Sequence, residues 1–208
     1  MISHRHKFAC PRLGKNASST LVKYFRQLDG SLVDEGHLSV LGSGFHYFLK
    51  GGHFAGRNTD EYFKFGFVRN PYDRLVSGFH EFKNPTSFTD IKKDVRKDSN
   101  LNLQKCIDNF EDFVEMTMTH EHIHWKIQHS MLHFRGNLLV DYIGHVETIQ
   151  DDLDYICEKV GLDNSSVTVP VVRKSKGRTH WSEYYTDEIR EKVYDKYLID
   201  FESFGYER

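Results

Sequence analysis

The order of apolar segments along this 208-residue chain predicts an α/β fold, with a central parallel sheet flanked by helices in three layers. Short apolar runs alternate with segments of helical periodicity, which is typical of a parallel sheet. The length suits one core of ordinary size, so residues 1–208 are predicted to form a single domain. Hydrophobic residues make up 38% and charged residues 28% of the chain, as in ordinary globular proteins.

The first half of the chain predicts two strands, each followed by a helix. Residues 7–10 form a short apolar run, and residues 18–28 carry apolar side chains at helical spacing. The glycine-rich segment 31–56 predicts a loop with a short helical or extended piece. Residues 62–68 predict the second strand. The helix at 71–82 begins with a proline, which the first turn of a helix tolerates.

The second half of the chain continues the alternation less regularly. Residues 84–102 are charged and poorly periodic, and predict an exposed excursion. Residues 106–118 predict an amphipathic helix, and the apolar run 138–143 predicts a strand. A helix at 148–160 should end at the glycine that follows it. The last helix, 186–201, should begin with a threonine cap.

Charge and cysteine content exclude several classes of protein. A formal net charge of -2 gives no overall positive field for nucleic acid. No apolar run approaches the roughly 20 residues of a membrane span, and the N-terminus lacks the apolar region of a signal peptide. Three widely spaced cysteines predict a reducing compartment. We therefore expect a cytoplasmic protein, or a Golgi-lumen protein if the chain is a trimmed catalytic domain.

The segment Gly14–Thr20 predicts a phosphate-binding turn. It places a lysine and several hydroxyl side chains between a strand and a helix, where free backbone N–H groups and the positive helix end attract anions. It departs from the Walker A pattern, because Ala9 replaces the first glycine and Asn16 follows Lys15. The plainer alternative is a helix start rich in serine and threonine because these residues cap well.

The segment Arg69–Ser77 predicts a second anion site. Arg69 lies at a strand end just before Pro71, and Ser77 lies two turns along the next helix. A guanidinium and a hydroxyl in this arrangement can hold one phosphate from two sides. Ser77 could equally be an ordinary helix serine. Two such segments in one small domain predict a ligand with two separated phosphates.

Several segments, in order along the chain, resemble carbohydrate sulfotransferases that use PAPS (3′-phosphoadenosine 5′-phosphosulfate). Lys15–Leu21 resembles their 5′-phosphosulfate loop, although Gly14 replaces the usual proline. Arg69–Ser77 resembles their 3′-phosphate motif. The remaining similar segments are His124–Gln128, Val140–Thr148, Ser175–Arg178, Tyr184–Thr186 and Asp200–Tyr206.

This resemblance implies a P-loop-like fold, PAPS as sulfuryl donor, PAP as product, and no metal. It also implies transfer to a hydroxyl, on a carbohydrate or another acceptor, with Lys15 as a catalytic residue. The residues that it assigns to the nucleotide are Lys15, Asn16, Ala17, Ser18, Ser19, Thr20, Arg69, Ser77, Ser175, Lys176 and Arg178.

An acceptor hydroxyl also needs a general base. His53 is the first candidate, because flanking glycines let the backbone approach a substrate and histidine titrates near neutral pH. Its segment resembles the Gly-His of heparan sulfate 2-O-sulfotransferases, with Gly51 where that family has another histidine. His46 and Glu81 are reserve candidates.

Two other functions compete with this hypothesis. His120, Glu121 and His124 match H-E-x-x-H, the pattern of zinc peptidases, although the last histidine of the extended pattern is missing. A non-catalytic module of the same fold could instead bind nucleotide or sulfated glycan. The presence of Lys15 favours the enzyme over such a module.

Overall fold

A computed structural model describes residues 1–33, 53–54, 57–87, 89–170 and 177–208. The chain divides into two compact units. We call Met1–Arg69 with Gln128–Arg173 the sheet unit, and Asn70–Ile127 with Lys174–Arg208 the helical unit.

All described strands belong to the sheet unit. They are β1 (Ile2–Ser3), β2 (Phe8–Ala9), β3 (His53–Phe54), β4 (Arg57–Asn58), β5 (Phe63–Val68), β6 (His133–Phe134), β7 (Asn137–Leu138) and β8 (Tyr142–His145). The main sheet has the order β1-β2-β5-β8, in which β2, β5 and β8 are parallel and β1 is antiparallel to β2. The pairs β3-β4 and β6-β7 are separate antiparallel ladders.

The described helices divide between the two units. The sheet unit contains α1, α6 and α7, and the helical unit contains the others. Their bounds are α1 (Ser18–Leu28), α2 (Pro71–Phe82), α3 (Thr89–Lys97), α4 (Leu103–Asp108), α5 (Phe110–Thr119), α6 (Gln128–Leu132), α7 (Ile149–Val160) and α8 (Asp187–Phe204).

The sheet unit is covered by helices on both faces of β5. Phe65 and Phe67 point to one face and share a buried cluster with side chains of α1 and α7. On the other face, a Cβ added to Gly66 would lie 2.9 Å from Cδ2 of Leu132 in α6. Strand residues alternate between faces, so the glycine lets α6 approach closely. The predicted α/β class, a sheet with parallel strands flanked by helices, is confirmed.

The helical unit has its own core, which is rich in aromatic side chains. Phe79, Phe113 and Trp125 are almost fully buried. The ring of Phe113 contacts the rings of both Phe79 and Trp125. Val193 and Phe201 bring α8 into the same cluster. Such clusters bury large apolar areas and stabilise a helical packing without a sheet.

Several predicted elements are confirmed. The helices at 18–28 and 71–82 have the bounds expected from the sequence. The helix predicted at 148–160 begins one residue later, and Gly161 ends it with φ 67°. Thr186 caps the last helix, since its side chain accepts a hydrogen bond from the Ile189 N–H at 3.3 Å.

Other predictions were wrong in detail. The excursion predicted at 84–102 contains α3, which buries Ile91 and Val95. The helix predicted at 106–118 is two helices, because Asn109 interrupts it and caps the second one. The single strand predicted at 138–143 is divided, because Leu138 ends β7 and Tyr142 begins β8. Within the described ranges, no helix is both long enough and apolar enough to cross a membrane.

Candidate functional site

The Lys15 turn follows the central strand β2 and leads into α1. Lys15 and Ala17 both have left-handed backbone conformations, with φ 67° and 55°. Ala17 is the N-cap residue of α1, and no described side chain accepts a hydrogen bond from the first turn of this helix. The first N–H groups of a helix have no partner within it. The turn therefore presents backbone donors at the positive end of the α1 dipole, which suits an anion.

Three hydroxyl residues open α1 beside this turn. Ser18 is buried, whereas Ser19 and Thr20 are half-buried. The first turn of α1 contains no acidic side chain that would repel an anion. The sequence assigned all three residues to the nucleotide, and they lie where the free N–H groups of the helix lie.

Arg69 lies beside the Lys15 turn. It follows β5, and β5 is the parallel neighbour of β2, so the two segments leave the sheet at the same edge. Arg69 Nη1 donates a hydrogen bond to the carbonyl oxygen of Lys15 at 3.1 Å. A guanidinium carries five N–H donors, so this contact is compatible with binding a phosphate. The two predicted phosphate-binding segments are thus in direct contact within the sheet unit.

A pair of buried carboxamides lies underneath these two segments. Asn16 is 1% exposed, and its Nδ2 donates to the carbonyl oxygen of Phe67 and to Oε1 of Gln128, both at 2.7 Å. Gln128 is fully buried and also bonds to the backbone of Arg69. Sequence reasoning assigned no role to Gln128. Its place in the His-x-x-x-Gln segment was the one signal that pointed to it.

The remaining predicted nucleotide residues belong to the helical unit. Ser77 lies in α2 and is 6% exposed. Arg178 forms an ion pair with Asp73 and also donates to the Asp73 carbonyl oxygen at 3.1 Å. Ser175 and Lys176 lie outside the described residues. Arg178 therefore anchors its segment to the first turn of α2.

The candidate bases are described only in part. His53 lies in β3, where its backbone pairs with Asn58, and its side chain is outside the described part of the structure. His46 also lies outside it. Glu81 in α2 accepts a hydrogen bond from the Ser87 hydroxyl at 2.7 Å. The first candidate base therefore lies in the sheet unit with Lys15 and Arg69.

The zinc-peptidase pattern does not have the backbone that its chemistry needs. Helix α5 ends at Thr119, so His120 and His124 do not share a helix face. The ring nitrogens Nδ1 of His122 and His124 lie 3.2 Å apart, and Trp125 Nε1 donates to the His120 carbonyl oxygen at 2.6 Å. Among the described residues, no group of three His, Cys, Asp or Glu side chains could hold a metal ion.

Curated proteins similar to this chain are carbohydrate sulfotransferases. Carbohydrate sulfotransferase 10 of Xenopus laevis is 30% identical over 71% of this chain and 48% of its own length. The Homo sapiens protein of the same name is 29% identical over the same shares. Carbohydrate sulfotransferase 11 of Mus musculus is 30% identical over 70% of this chain and 47% of its own length. The chain thus spans about half the length of these relatives. No solved structure matches it.

These relatives overturn the predicted cytoplasmic localisation. They are Golgi enzymes that act in the lumen, not in the cytoplasm. The cysteine argument failed because Cys10, Cys106 and Cys157 are all free and buried. Burial raises the pKa of the Cys10 thiol to about 12 and that of Cys157 to about 11. Buried cysteines act as small apolar side chains, so their number reflects packing rather than redox compartment.

The family match extends along the chain rather than over one motif. A model described as the sulfotransferase family matches residues 1–207. The matched range includes the Lys15 turn, Arg69, Gln128 and both units. The resemblance predicted from the separate segments is confirmed, and the chain belongs to the sulfotransferase family.

Proposed function

We propose that this protein transfers a sulfuryl group from PAPS to a hydroxyl group of a carbohydrate by in-line displacement. Membership of the family implies a sulfuryl donor, and the similar proteins are named carbohydrate sulfotransferases. The choice of PAPS rests on two phosphate-binding segments, since this donor carries phosphate at both ends of its ribose.

The single observation that carries the proposal is the contact between Arg69 Nη1 and the Lys15 carbonyl oxygen at 3.1 Å. The sequence predicted one phosphate-binding segment around each of these residues. A ligand with two phosphates on one ribose requires the two segments to be neighbours. Their contact at the same edge of the sheet meets that requirement.

Lys15 and the start of α1 account for the leaving group. The acceptor oxygen bonds to sulfur while the bond from sulfur to the 5′-phosphate oxygen breaks, so negative charge develops on that phosphate. The Lys15 ammonium and the N–H donors at the start of α1 stabilise this charge, as in phosphoryl transfer. Hydroxyls of Ser18, Ser19 and Thr20 add further donors. This chemistry depends on positioning and charge rather than on a covalent enzyme intermediate.

Arg69 binds the 3′-phosphate through its planar guanidinium. The resemblance also assigns Ser77, Ser175, Lys176 and Arg178 to the nucleotide. Within the helical unit, the Arg178–Asp73 ion pair holds the segment after residue 176 against α2. Arg178 would therefore act by placing its segment as well as by its charge.

His53 accepts the proton that the acceptor hydroxyl loses as its oxygen bonds to sulfur. A neutral imidazole is the form that can accept this proton, so activity should fall at acidic pH. Substitution of His53 by alanine should lower turnover and leave PAP affinity unchanged. An equal loss of PAP affinity would make His53 a binding residue instead.

A groove along α1 provides a place for an anionic acceptor. It encloses about 490 Å³ and begins at Ser19, next to the Lys15 turn. Three of its side chains are cationic, those of Arg12, Lys23 and Arg26. Positive side chains in a concave surface favour sugars that carry carboxylate or sulfate groups. Acidic oligosaccharides should therefore be better acceptors than neutral ones of the same length.

The proposal is tested by incubating the protein with radiolabelled PAPS and a panel of acidic and neutral oligosaccharides. We expect label on a sugar hydroxyl and formation of PAP in equal amount. PAP binding without transfer to any acceptor would favour the non-catalytic module. A protein that binds neither PAPS nor PAP would contradict the proposal.

A further inference from the structure

Gln128 makes a pair of hydrogen bonds that a neighbouring strand would normally make. It is the first residue of α6, and its side chain is fully buried. Its Nε2 donates to the Arg69 carbonyl oxygen at 2.9 Å, and its Oε1 accepts from the Arg69 N–H at 3.0 Å. A backbone N–H can only donate and a carbonyl can only accept, so these bonds fix the orientation of the amide. The side chain thus extends the pairing of β5 by one residue.

The same Oε1 also connects Arg69 to the Lys15 turn. Asn16 Nδ2 donates to it at 2.7 Å and to the Phe67 carbonyl oxygen at 2.7 Å. Asn16 directly follows Lys15. Gln128 therefore contacts the neighbour of Lys15 in one segment and the backbone of Arg69 in the other. Together with the bond from Arg69 Nη1 to the Lys15 carbonyl oxygen, these bonds close a ring between the two segments.

Burial makes this connection rigid. Asn16 is 1% exposed and Gln128 is 0% exposed, so water cannot easily replace a lost bond. A buried donor or acceptor without a partner is costly, so breaking any of these bonds is unfavourable. A side chain outside both predicted phosphate-binding segments therefore connects them.

We propose that Gln128 is a positioning residue that holds Arg69 at the spacing from Lys15 that a nucleotide with two phosphates requires. This inference rests on the proposed function of Lys15 and Arg69. It predicts that loss of the Gln128 hydrogen bonds lowers the affinity for a ligand with both phosphates. The affinity for a ligand with one phosphate should change little, because spacing affects only a ligand held at both ends.

The test measures the affinities of PAP, adenosine 5′-monophosphate and adenosine 3′-monophosphate by calorimetry. Gln128→Met keeps the length of the side chain and removes its hydrogen bonds. We expect PAP to bind about tenfold more weakly to this variant. Each monophosphate should change by less than about twofold. Circular dichroism and thermal unfolding show whether the variant is folded.

A second variant covers the case in which Gln128→Met does not fold. In Gln128→Glu, a protonated carboxyl can donate to the Arg69 carbonyl oxygen, whereas a carboxylate cannot. The preference of this variant for PAP over the monophosphates should therefore rise toward the wild-type value as pH falls. Wild-type protein measured at the same pH values corrects for titration of the phosphates.

The possible outcomes separate this inference from the proposed function. Equal weakening of all three ligands in Gln128→Met, or no weakening of PAP, would overturn the positioning role while the wild-type preference for PAP stands. A pH-independent preference in Gln128→Glu would overturn it as well. Wild-type protein that binds PAP no better than a monophosphate would contradict the proposed function, and this inference with it.

Discussion

Two strand-to-helix turns of this protein, at the starts of α1 and α2, begin their helices in opposite ways. Helix α1 begins at Ala17, which has φ 55°, and no described side chain caps it. Helix α2 begins at Asn70, whose Oδ1 accepts hydrogen bonds from Tyr72 N–H at 2.9 Å and Asp73 N–H at 3.3 Å. The first position of α2 is Pro71, which has no N–H to offer.

This difference separates two ways of binding an anion. At the start of α1, no described side chain caps the first N–H groups and the first turn carries no acidic residue. These N–H groups and the lysine can therefore bind the same anion. The start of α2 already uses its donors internally and carries Asp73 in its first turn. The second predicted phosphate contact must therefore depend on the side chain of Arg69 rather than on the end of a helix. Substitutions in the two turns should have different effects.

The largest effect is expected at the Lys15 turn. Lys15→Ala should lower the rate of sulfuryl transfer by at least about 100-fold, because it removes the cation that we propose stabilises the developing charge. The rate is measured with radiolabelled PAPS and the best acceptor. Lys159→Ala, which removes an exposed lysine of α7, is the matched control and should be unchanged. Comparable rates in the two variants would contradict the role of Lys15.

A smaller effect is expected at Arg69. Arg69→Lys keeps the charge but loses the planar fork, so PAP affinity should fall by roughly tenfold. Arg135→Lys, at an exposed turn between β6 and β7, serves as control. Calorimetry measures both affinities. If lysine at position 69 binds PAP as well as arginine does, this position contributes only a positive charge. The contrast drawn between the two turns would then be wrong.

The cap of α2 should affect stability rather than binding. Asn70→Ala should lower the free energy of unfolding by about 1 kcal/mol, since two N–H groups lose their acceptor. Asn70→Asp keeps an acceptor and should restore most of the loss. Urea unfolding measures these changes. A fall in PAP affinity as large as that of Arg69→Lys would show that the start of α2 contacts the ligand after all.

The smallest effect is expected at Ala17, and it should be stabilising. Ala17→Gly relieves a left-handed conformation that costs an alanine about 1–2 kcal/mol, part of which the greater chain freedom of glycine offsets. The free energy of unfolding should rise by roughly 0.5–1 kcal/mol. Ala9→Gly, in strand β2, should change it in the opposite direction. A destabilised Ala17→Gly protein would mean that the turn is not strained.

Much of the fold could be predicted because its signals are local. Helix α1 carries its apolar side chains at regular spacing, and α2 has both a proline at its first position and an apolar face. Helix α3 was missed because it buries only Ile91, Val95 and the stem of Lys92 among charged residues. The apolar run at 138–143 indicated a strand, yet strand pairing depends on partners that lie far away in sequence.

The candidate site likewise contains residues with a local sequence signal and residues whose role depends on distant contacts. Lys15 and Arg69 were predicted to bind phosphate because lysine-bearing turns and arginines at strand ends have recognisable sequence contexts, and the structure shows that their segments are in contact. Asn16 was assigned to the nucleotide, but its side-chain amide bonds to Phe67 and Gln128. The role of Gln128 depends on contacts with residues 59 and 112 positions away. No periodicity or spacing in one sequence reveals such a contact.

Because the three thiols are buried, the rate at which each is alkylated reports how often its surroundings unfold. Alkylating reagents attack thiolates, and a sulfur shielded from solvent reacts only when its surroundings open. Cys10 and Cys157 belong to the sheet unit, and Cys106 belongs to the helical unit. Peptide mapping after timed labelling would therefore read the opening of each unit separately, in one sample and without any added probe.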